Sequence, residues 1–313
     1  TLMRSSAASD VYKRQVLFFI ISIPSWLLDI LLAINILVAM VVLFNSLFAK
    51  EVLDMASFPT MLLFTTIFRI SLNVSSTKLI LKNGDAGKVI DTFGKFVGGG
   101  NLVIGIIIFI ILIIVQFIVI NKGSERVAEV TARFTLDAMA GKQMAIDSDL
   151  NTGAITDKEA AERRKKLQQE NSFFGSMDGA TKYVKGDATA GLIITAINLV
   201  GGIAMGMLYN GMSINDALST YSILTIGDGL CSQIPSLLIS LSTGILVTKA
   251  SSEGELGDEM VGQLFSMDRV LIMVGAALIL LGVGTPLPFY IFVPLGVCLL
   301  YTSPSPRDRQ KSR

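Results

Sequence analysis

The chain has 313 residues, of which 51% are hydrophobic and 16% are charged, and its formal net charge is +1. A soluble domain of this length cannot bury so much apolar surface, so the composition excludes an ordinary soluble protein and predicts an integral membrane protein. With 2 cysteines and no histidine, we expect no metal centre, haem or disulfide framework. The near-neutral charge gives no field that attracts nucleic acid, so the lipid bilayer is the expected partner, and neither a cofactor nor a nucleic acid is expected.

The two ends of the chain differ from the sequence between them. Residues 1–15 and 299–313 lack the apolar density and the periodicity of their neighbours, and both resemble translated sequencing adapter. We expect them to be non-native tails and leave them out of the fold prediction. The first and the last membrane span are then expected to be clipped.

The first apolar segment, residues 16–48, is too long for a single membrane span of about 20 residues. Pro24, Ser25 and Asp29 interrupt it. We therefore predict a hairpin of two spans, with the break at these residues.

The third predicted span, residues 58–81, carries Arg69 and Asn73 on one helical face. An arginine at membrane depth faces either a partner or a water-filled cavity, so a structural ion pair and the lining of a pathway are equally good interpretations of Arg69. A polar connection, residues 82–101, contains three consecutive glycines near its end that predict a flexible turn. The fourth span follows at residues 102–120.

Beyond a long polar segment, further apolar segments predict spans five to eight. The fifth contains Gly202 and Gly206 at the spacing that lets helix backbones approach closely. The sixth contains Gly227-Asp228-Gly229 and Pro235, which predict a broken start, and broken backbone at membrane depth is tolerated only inside protein or beside a cavity. These spans cover residues 188–208, 223–247, 268–284 and 287–298.

The distribution of Lys and Arg among the connections predicts the orientation of the spans. The segment 122–187 holds eleven of them, balanced by eleven Asp and Glu residues, whereas the connections 209–221 and 285–287 have none. The 122–187 loop and both natural ends are therefore expected in the cytoplasm. The connection 82–100, which has three lysines and is expected outside, disagrees with this rule.

The first half of the cytoplasmic loop predicts an amphipathic helix over Arg126–Met139. Arg133 has Glu129 four residues before it and Asp137 four residues after it, which is the spacing of helical ion pairs. Gly141 is expected to end this helix.

The second half of the loop predicts a helix over residues 157–170. It starts at a capping box formed by Thr156 and Glu159. Ion pairs four residues apart are expected to stabilise it, namely Glu159 with Arg163 and Glu162 with Lys166.

Two stretches of this loop match ligand-binding motifs only in part. Residues 147–153 resemble a calcium loop, but Thr152 and Lys158 stand where that loop needs glycine and glutamate. Gly141-Lys142-Gln143 has neither the upstream glycine nor the Ser or Thr of a phosphate-binding loop. We therefore expect no nucleotide site.

Three stretches carry a resemblance to a known family: RVAEVTARFTLDAMAGKQMAIDSD at 126–149, GSMDGATKYVKGDATAG at 175–191 and LTIGDGLCSQIPSLL at 224–238. The first closely resembles the signature of the FHIPEP family, the export-gate subunits of type III secretion. The likeness covers about residues 16–298. Ala140 stands where the family has proline, and a proline there would stop the preceding helix sharply.

This resemblance implies an all-α, polytopic bundle of about eight transmembrane helices in the bacterial inner membrane. It implies a non-enzymatic subunit of the flagellar export gate, which couples the proton motive force to protein secretion. The implied partners are copies of the chain in a ring, nonameric in the family, and the other membrane subunits of the gate. Exported proteins and their chaperones would bind a cytoplasmic domain expected after the eighth span.

The resemblance also marks candidate site residues by matching position. Asp187, the last residue of the loop, is expected either to cap the N-terminus of span five or to carry a proton. Arg69 and Asn73 add a polar pair at membrane depth. The residues marked for proton coupling and export are Asp187, Asp228, Asp178 and Lys182, and those of the cytoplasmic loop signature are Arg126, Arg133, Asp137, Lys142 and Asp147.

Three other functions fit parts of the sequence. Thr225-Ile-Gly227-Asp228 approaches the Gly-x-Gly-Asp pattern of intramembrane aspartyl proteases, but the first glycine and a partner Tyr-Asp pair are missing. A secondary transporter would be expected to show internal repeats, and the two halves of the chain show none by eye. The export gate of a virulence injectisome, from the same family, remains an alternative to the flagellar one.

Overall fold

The computed structural model describes residues 23–98, 101–249, 268–284 and 289–302. The chain divides into two compact units, Thr1–Ser252 and Glu253–Arg313, and each is described by itself.

Within the described ranges every regular element is a helix, which confirms the prediction of an all-α helical bundle. The first unit contains α1 (Ser25–Phe48), a 3₁₀ turn (Val52–Met55), α2 (Phe58–Asn83), α3 (Lys88–Gly98), α4 (Leu102–Val115), a π-helical segment (Gln116–Asn121), α5 (Lys122–Asn151), α6 (Asp157–Leu208) and α7 (Ile214–Thr248). The second unit contains α8 (Asp268–Gly284) and α9 (Phe289–Thr302).

Five helical segments of the described chain are long and apolar enough to cross a membrane. They comprise α1, the 3₁₀ turn with α2, the continuous path from α4 through α5, α6, and α7. The apolar helices of the second unit are shorter, and the predicted first span lies outside the described residues. The count of eight spans therefore stays a prediction.

The predicted break at Asp29 is wrong. Helix α1 begins at Ser25, directly after Pro24, and continues through Asp29 without interruption. The Asp29 carboxylate accepts hydrogen bonds from the backbone N–H groups of Lys88 and Val89, at 3.0 Å each. These are free N–H groups of the first turn of α3, so Asp29 caps a neighbouring helix instead of breaking its own.

The connection 82–101, predicted as a polar linker, contains a further amphipathic helix. Ile90 and Gly94 of α3 are buried, and α3 packs along α7. A methyl group at Gly94 would overlap the Ile223 carbonyl oxygen of α7, and one at Gly227 would overlap the Ile90 carbonyl oxygen of α3. The two backbones therefore touch at this crossing, and the contact requires glycine on both helices.

The predicted broken start of the sixth span is also wrong, because α7 is one continuous helix that includes Pro235. The glycines beside Asp228 serve packing. Gly227 lies against α3, and the Phe109 ring of α4 occupies the space that a side chain at Gly229 would need.

At Gly202 and Gly206 of α6 the close contact is made by a side chain of α7 and not by its backbone. A methyl group at either glycine would overlap the Tyr221 ring of α7, which is fully buried. The two glycines therefore form the surface against which this ring packs.

The polar segment 122–187 consists of two long helices rather than two short ones. The helix predicted over Arg126–Met139 does not end at Gly141: α5 runs for 30 residues to Asn151, and the second helix continues as α6 for 52 residues to Leu208. A glycine inside a helix costs only about 1 kcal/mol relative to alanine, and alanine at position 140 leaves the helix free to continue where proline would stop it. The 122–187 segment is thus a helical hairpin that continues two membrane-spanning segments.

The turn of this hairpin matches its sequence signals. Gly153 has a left-handed φ of 73°, a conformation that favours glycine. The predicted capping box is confirmed, since Thr156 N–H donates to Glu159 at 2.8 Å and Glu159 N–H donates to the Thr156 hydroxyl at 3.3 Å.

Candidate functional site

The centre of the candidate site is an ion pair between Arg69 of α2 and Asp187 of α6. The side chains are 1% and 4% exposed, and one carboxylate oxygen of Asp187 has no hydrogen-bond partner among the described residues. Asp187 lies well inside α6, where the helix has no free N–H groups to cap. The interpretation of Asp187 as a helix cap is therefore wrong.

Asp228 of α7 is a second buried carboxylate, 4% exposed. The Asn198 side-chain amide of α6 donates to it at 2.8 Å, and the Ser76 side chain of α2 also lies against it. Among the described residues Asp228 forms no ion pair. Burying a carboxylate that has only neutral hydrogen-bond partners costs folding free energy. At membrane depth, such a residue usually has a functional role rather than a stabilising one.

Asp187 and Asp228 face one cavity of about 50 Å³ between α2, α6, α7 and the π-helical segment. About 10–15 Å³ is enough for one water molecule when polar partners are available, so this cavity has room for more than one. Its polar lining residues come from α2, the π-helical segment, α6 and α7. They are Asn73, Gln116, Asn121, Asp187, Thr195, Asp228, Ser232, Gln233 and Ser236.

Amide side chains connect the walls of this cavity. The Asn73 amide donates to the Ser232 hydroxyl at 3.0 Å, and the Gln116 amide donates to the Gln233 carbonyl oxygen at 2.9 Å. Asn73, predicted with Arg69, therefore lines the cavity, while Arg69 enters the site through its pair with Asp187. Of the two interpretations of Arg69, the structure shows the ion pair, and Arg69 itself is not among the residues that line the cavity.

The π-helical segment Gln116–Asn121 explains how two amides five residues apart face the same cavity. Its hydrogen bonds run from residue i to i+5, so residues five apart come onto one face, which a regular α-helix does not allow. π-Helical turns are rare in proteins, and those that occur are often found at functional sites.

The other candidate residues lie on the hairpin, away from this cavity. Asp178 and Lys182 form an exposed pair along α6 at 2.9 Å. Arg133 and Asp137 are exposed, and the predicted pair of Arg133 with Glu129 is replaced by a pair of Arg126 with Glu129 at 3.2 Å.

The other ion pairs of the hairpin join residues far apart in the chain instead of neighbouring turns. Those predicted for Arg163 and Lys166 within α6 are wrong, because Arg163 pairs with Asp149 of α5 and Lys166 pairs with Glu51. Across the hairpin the pairs are Glu125–Lys185 at 3.1 Å, Lys142–Glu170 at 3.2 Å, Asp147–Arg164 at 2.5 Å and Asp149–Arg163 at 3.3 Å. Lys166 pairs with Glu51 of the loop before the 3₁₀ turn at 2.7 Å.

Sequence reasoning missed several residues of the site. Asn198 and Asn121 were detectable as amides within or beside apolar runs, since an amide at membrane depth needs a partner. The hydroxyls of Ser232 and Ser236 carry no such signal, because serine is common in membrane helices and bonds to its own backbone.

The sequence of the chain is similar to the sequences of known proteins. The FHIPEP family model matches residues 15–313. The chain is 54% identical over 286 residues to the flagellar biosynthesis protein FlhA of Bacillus subtilis, covering 91% of this chain and 42% of that protein. It is 50% identical over 286 residues to FlhA of Salmonella typhimurium, covering 90% and 41%. It is 50% identical over 281 residues to Protein MxiA of Shigella flexneri, again covering 90% and 41%.

The chain thus spans about two fifths of the length of these curated relatives. No solved structure matches it.

Proposed function

The chain belongs to the FHIPEP family, and from that membership we propose that it is a membrane subunit of the flagellar type III protein-export apparatus. Relatives at 54% and 50% identity are named flagellar biosynthesis proteins, which supports the flagellar role. The chain acts as part of an export gate in the bacterial inner membrane and not as an enzyme.

The observation that carries the proposal is the pair of buried carboxylates, Asp187 and Asp228, on one polar cavity inside the membrane bundle. A carboxylate that faces a space large enough for water can take up and release a proton. The gate uses this exchange to couple the proton motive force to protein export.

The ion pair of Arg69 with Asp187 gives proton uptake a mechanical consequence. Protonation of Asp187 removes the negative charge that balances Arg69, and an unpaired buried cation costs several kcal/mol. The present arrangement of α2 against α6 then becomes less stable than one in which Arg69 can reach water or another partner. Proton uptake and a shift between these two helices are therefore coupled.

The partners follow from the same family membership. Copies of the chain assemble in a ring, nonameric as in the family, around the other membrane subunits of the gate. Exported proteins and their chaperones bind a cytoplasmic domain of the whole protein. The hairpin 122–187 lies in the cytoplasm, in agreement with its eleven Lys and Arg residues.

A chimera tests this function. The matching segment of the Bacillus subtilis relative is replaced by residues 16–298 of this chain in a strain that lacks its own copy, and swimming and secretion of flagellar proteins are measured. Restored swimming is expected. A control chimera carrying Asp228→Asn should insert in the membrane to the same level without restoring export. A wild-type chimera that inserts and secretes nothing would refute the proposal.

The injectisome gate is the second candidate function, and the 50% identity to Protein MxiA fits it. This identity equals that to the Salmonella typhimurium relative. The same segment placed in the homologous subunit of an injectisome separates the two candidates. We expect stronger restoration of secretion in the flagellar host.

A further inference from the structure

We infer that the π-helical segment forms the constriction of a water path that leads from the Asp187 and Asp228 cavity to a mouth between α5 and α6. This inference rests on the proposed proton-coupling function, for which it specifies the access route. It is carried by a second cavity, by a buried hydroxyl without a partner, and by an ion pair at the outer end.

The second cavity lies next to the first, between the π-helical segment, α5, α6 and α7, and measures about 30 Å³. This volume is again sufficient for water. The two cavities share three lining residues, Phe117, Asn121 and Ala188. Any passage between them therefore runs beside Asn121, Phe117 and Ala188.

Hydroxyl groups on one face of α7 follow this route. Ser236 lines the first cavity, and Ser240 and Thr243 line the second. The Ser240 hydroxyl donates to the Asn121 side-chain oxygen at 3.1 Å, which fixes the amide at the junction.

A buried hydroxyl, that of Thr243, supports the presence of water in the second cavity. Thr243 is 3% exposed, and its hydroxyl has no hydrogen-bond partner among the described residues. Buried polar groups are nearly always satisfied by protein or ordered water. Since this hydroxyl borders a cavity with room for water, water in the inferred path would satisfy it.

The outer end of the second cavity is bordered by charged residues. Glu125 of α5 and Lys185 of α6 form an ion pair at 3.1 Å, with side chains 24% and 61% exposed. The Lys122 ammonium lies 5.5 Å from the centre of the Phe117 ring, a cation–π distance that helps to hold the ring at the junction. The ion pair thus holds the two helices together at the mouth, and the ring and Asn121 form the inner constriction.

Silver-ion accessibility of introduced cysteines tests the route. The chain carries Cys231→Ala and Cys298→Ala, and single cysteines replace Thr243 in the second cavity, Ser236 in the first, or Ser242 as the matched control. Ser242 is equally buried, but its hydroxyl bonds to the Leu238 carbonyl oxygen at 2.7 Å and it borders neither cavity. Vesicles of both orientations are treated with silver nitrate, and free thiols are then counted by maleimide labelling after denaturation.

We expect Thr243→Cys and Ser236→Cys to be modified from the side of the hairpin, and Ser242→Cys to remain free. Adding Asn121→Leu should protect Ser236→Cys while Thr243→Cys stays reactive, because only the first lies beyond the constriction. Adding Glu125→Gln should raise the rate at Thr243→Cys by about two- to fivefold, the effect expected from losing one exposed ion pair.

Two results would overturn the route. One is equal modification of Thr243→Cys and Ser242→Cys, or none of either, in protein whose thiols label fully after denaturation when silver is omitted. The other is an Asn121→Leu variant that leaves Ser236→Cys as reactive as before. Since silver reports water access and not export, an exporting chain with an unreactive Thr243→Cys refutes the route alone. A reactive chain that cannot export refutes the proposed function alone.

Discussion

Arg69 of α2 and Asp187 of α6 form an ion pair inside the helix bundle, with side chains 1% and 4% exposed. Neither residue lies at the end of its helix, so the pair joins two helices at positions away from their termini. Because each charge is buried, the stability of this contact depends on the presence of both.

The first prediction separates the structural role of this pair from its role in export. Asp187→Asn leaves Arg69 buried without a counter-ion, which costs about 3–5 kcal/mol, so the thermal stability of the protein should fall markedly. Arg69→Gln combined with Asp187→Asn replaces the pair by two neutral amides and should restore thermal stability in detergent. Export should remain abolished in the double variant, because no proton can be carried at this position. Normal export by the double variant would make the pair purely structural and leave Asp228 as the proton carrier.

The second prediction concerns the glycine crossing of α3 and α7. Gly227→Ala places a methyl group against the Ile90 carbonyl oxygen, and overpacking of this kind costs about 1–3 kcal/mol or more. Gly179→Ala is the matched control, since nothing lies within 4 Å of the new methyl group there. The control should be neutral or more stable by about 1 kcal/mol from helix propensity. Thermal unfolding of the purified proteins measures both, and equal midpoints would show that the crossing tolerates a side chain.

The third prediction tests Asp29 as the cap of α3. Asp29→Ala should destabilise α3 by about 0.5–2 kcal/mol, whereas Asp29→Asn should retain most of the stability because asparagine also accepts backbone N–H bonds. Asp91→Ala, which removes the exposed pair with Lys95 and an acid of the first turn of α3, should cost about 0.3–1 kcal/mol. Limited proteolysis within 84–98 reports the difference. Indistinguishable Ala and Asn variants would argue against a capping role.

The fourth prediction concerns Arg133 in the hairpin. Its side chain is exposed, and Glu129 is already paired with Arg126, so Arg133→Ala should leave stability and insertion unchanged. We nevertheless expect a severe export defect, because Arg133 belongs to the loop signature and is available for an external partner. Arg163→Ala, which removes one exposed pair with Asp149, is the control and should export normally. Normal motility with Arg133→Ala would refute this assignment.

The fifth prediction concerns orientation. Thr156 lies at the turn of the hairpin, and Ser213 caps the start of α7. The 52 residues of α6 between them measure about 78 Å at 1.5 Å per residue, which exceeds the thickness of a bilayer. A reporter fused at Thr156 should behave as cytoplasmic and one at Ser213 as external. The reverse result at both positions would invert the proposed topology.

The polar residues of the site could be named from the sequence because a charge or amide inside an apolar run is costly. Arg69, Asp187 and Asp228 were candidates on that ground or by family resemblance. Which of them pair could not be predicted, since the pairing of Arg69 with Asp187 depends on the way in which α2 and α6 pack.

Predictions of helix ends from single residues were wrong where the residue can fill more than one structural role. Asp29 has the composition of a helix interruption, but its carboxylate is satisfied by another helix. Gly141 and Gly227 both suggested an end or a break, yet one lies in open space and the other at a backbone contact, and both remain helical.

The sequence alone predicts a helical membrane protein with one long, charge-balanced polar segment, and its resemblance to a known family identifies that family. Those properties depend on the length of apolar runs and on the order of residues within one segment, which the chain carries before it folds. Only the tertiary structure decided that α5 and α6 extend the membrane spans, that the π-helical segment turns Gln116 and Asn121 to one face, and that Asp187 and Asp228 share a cavity. These features arise from contacts between helices far apart in sequence, whose energies no single segment contains.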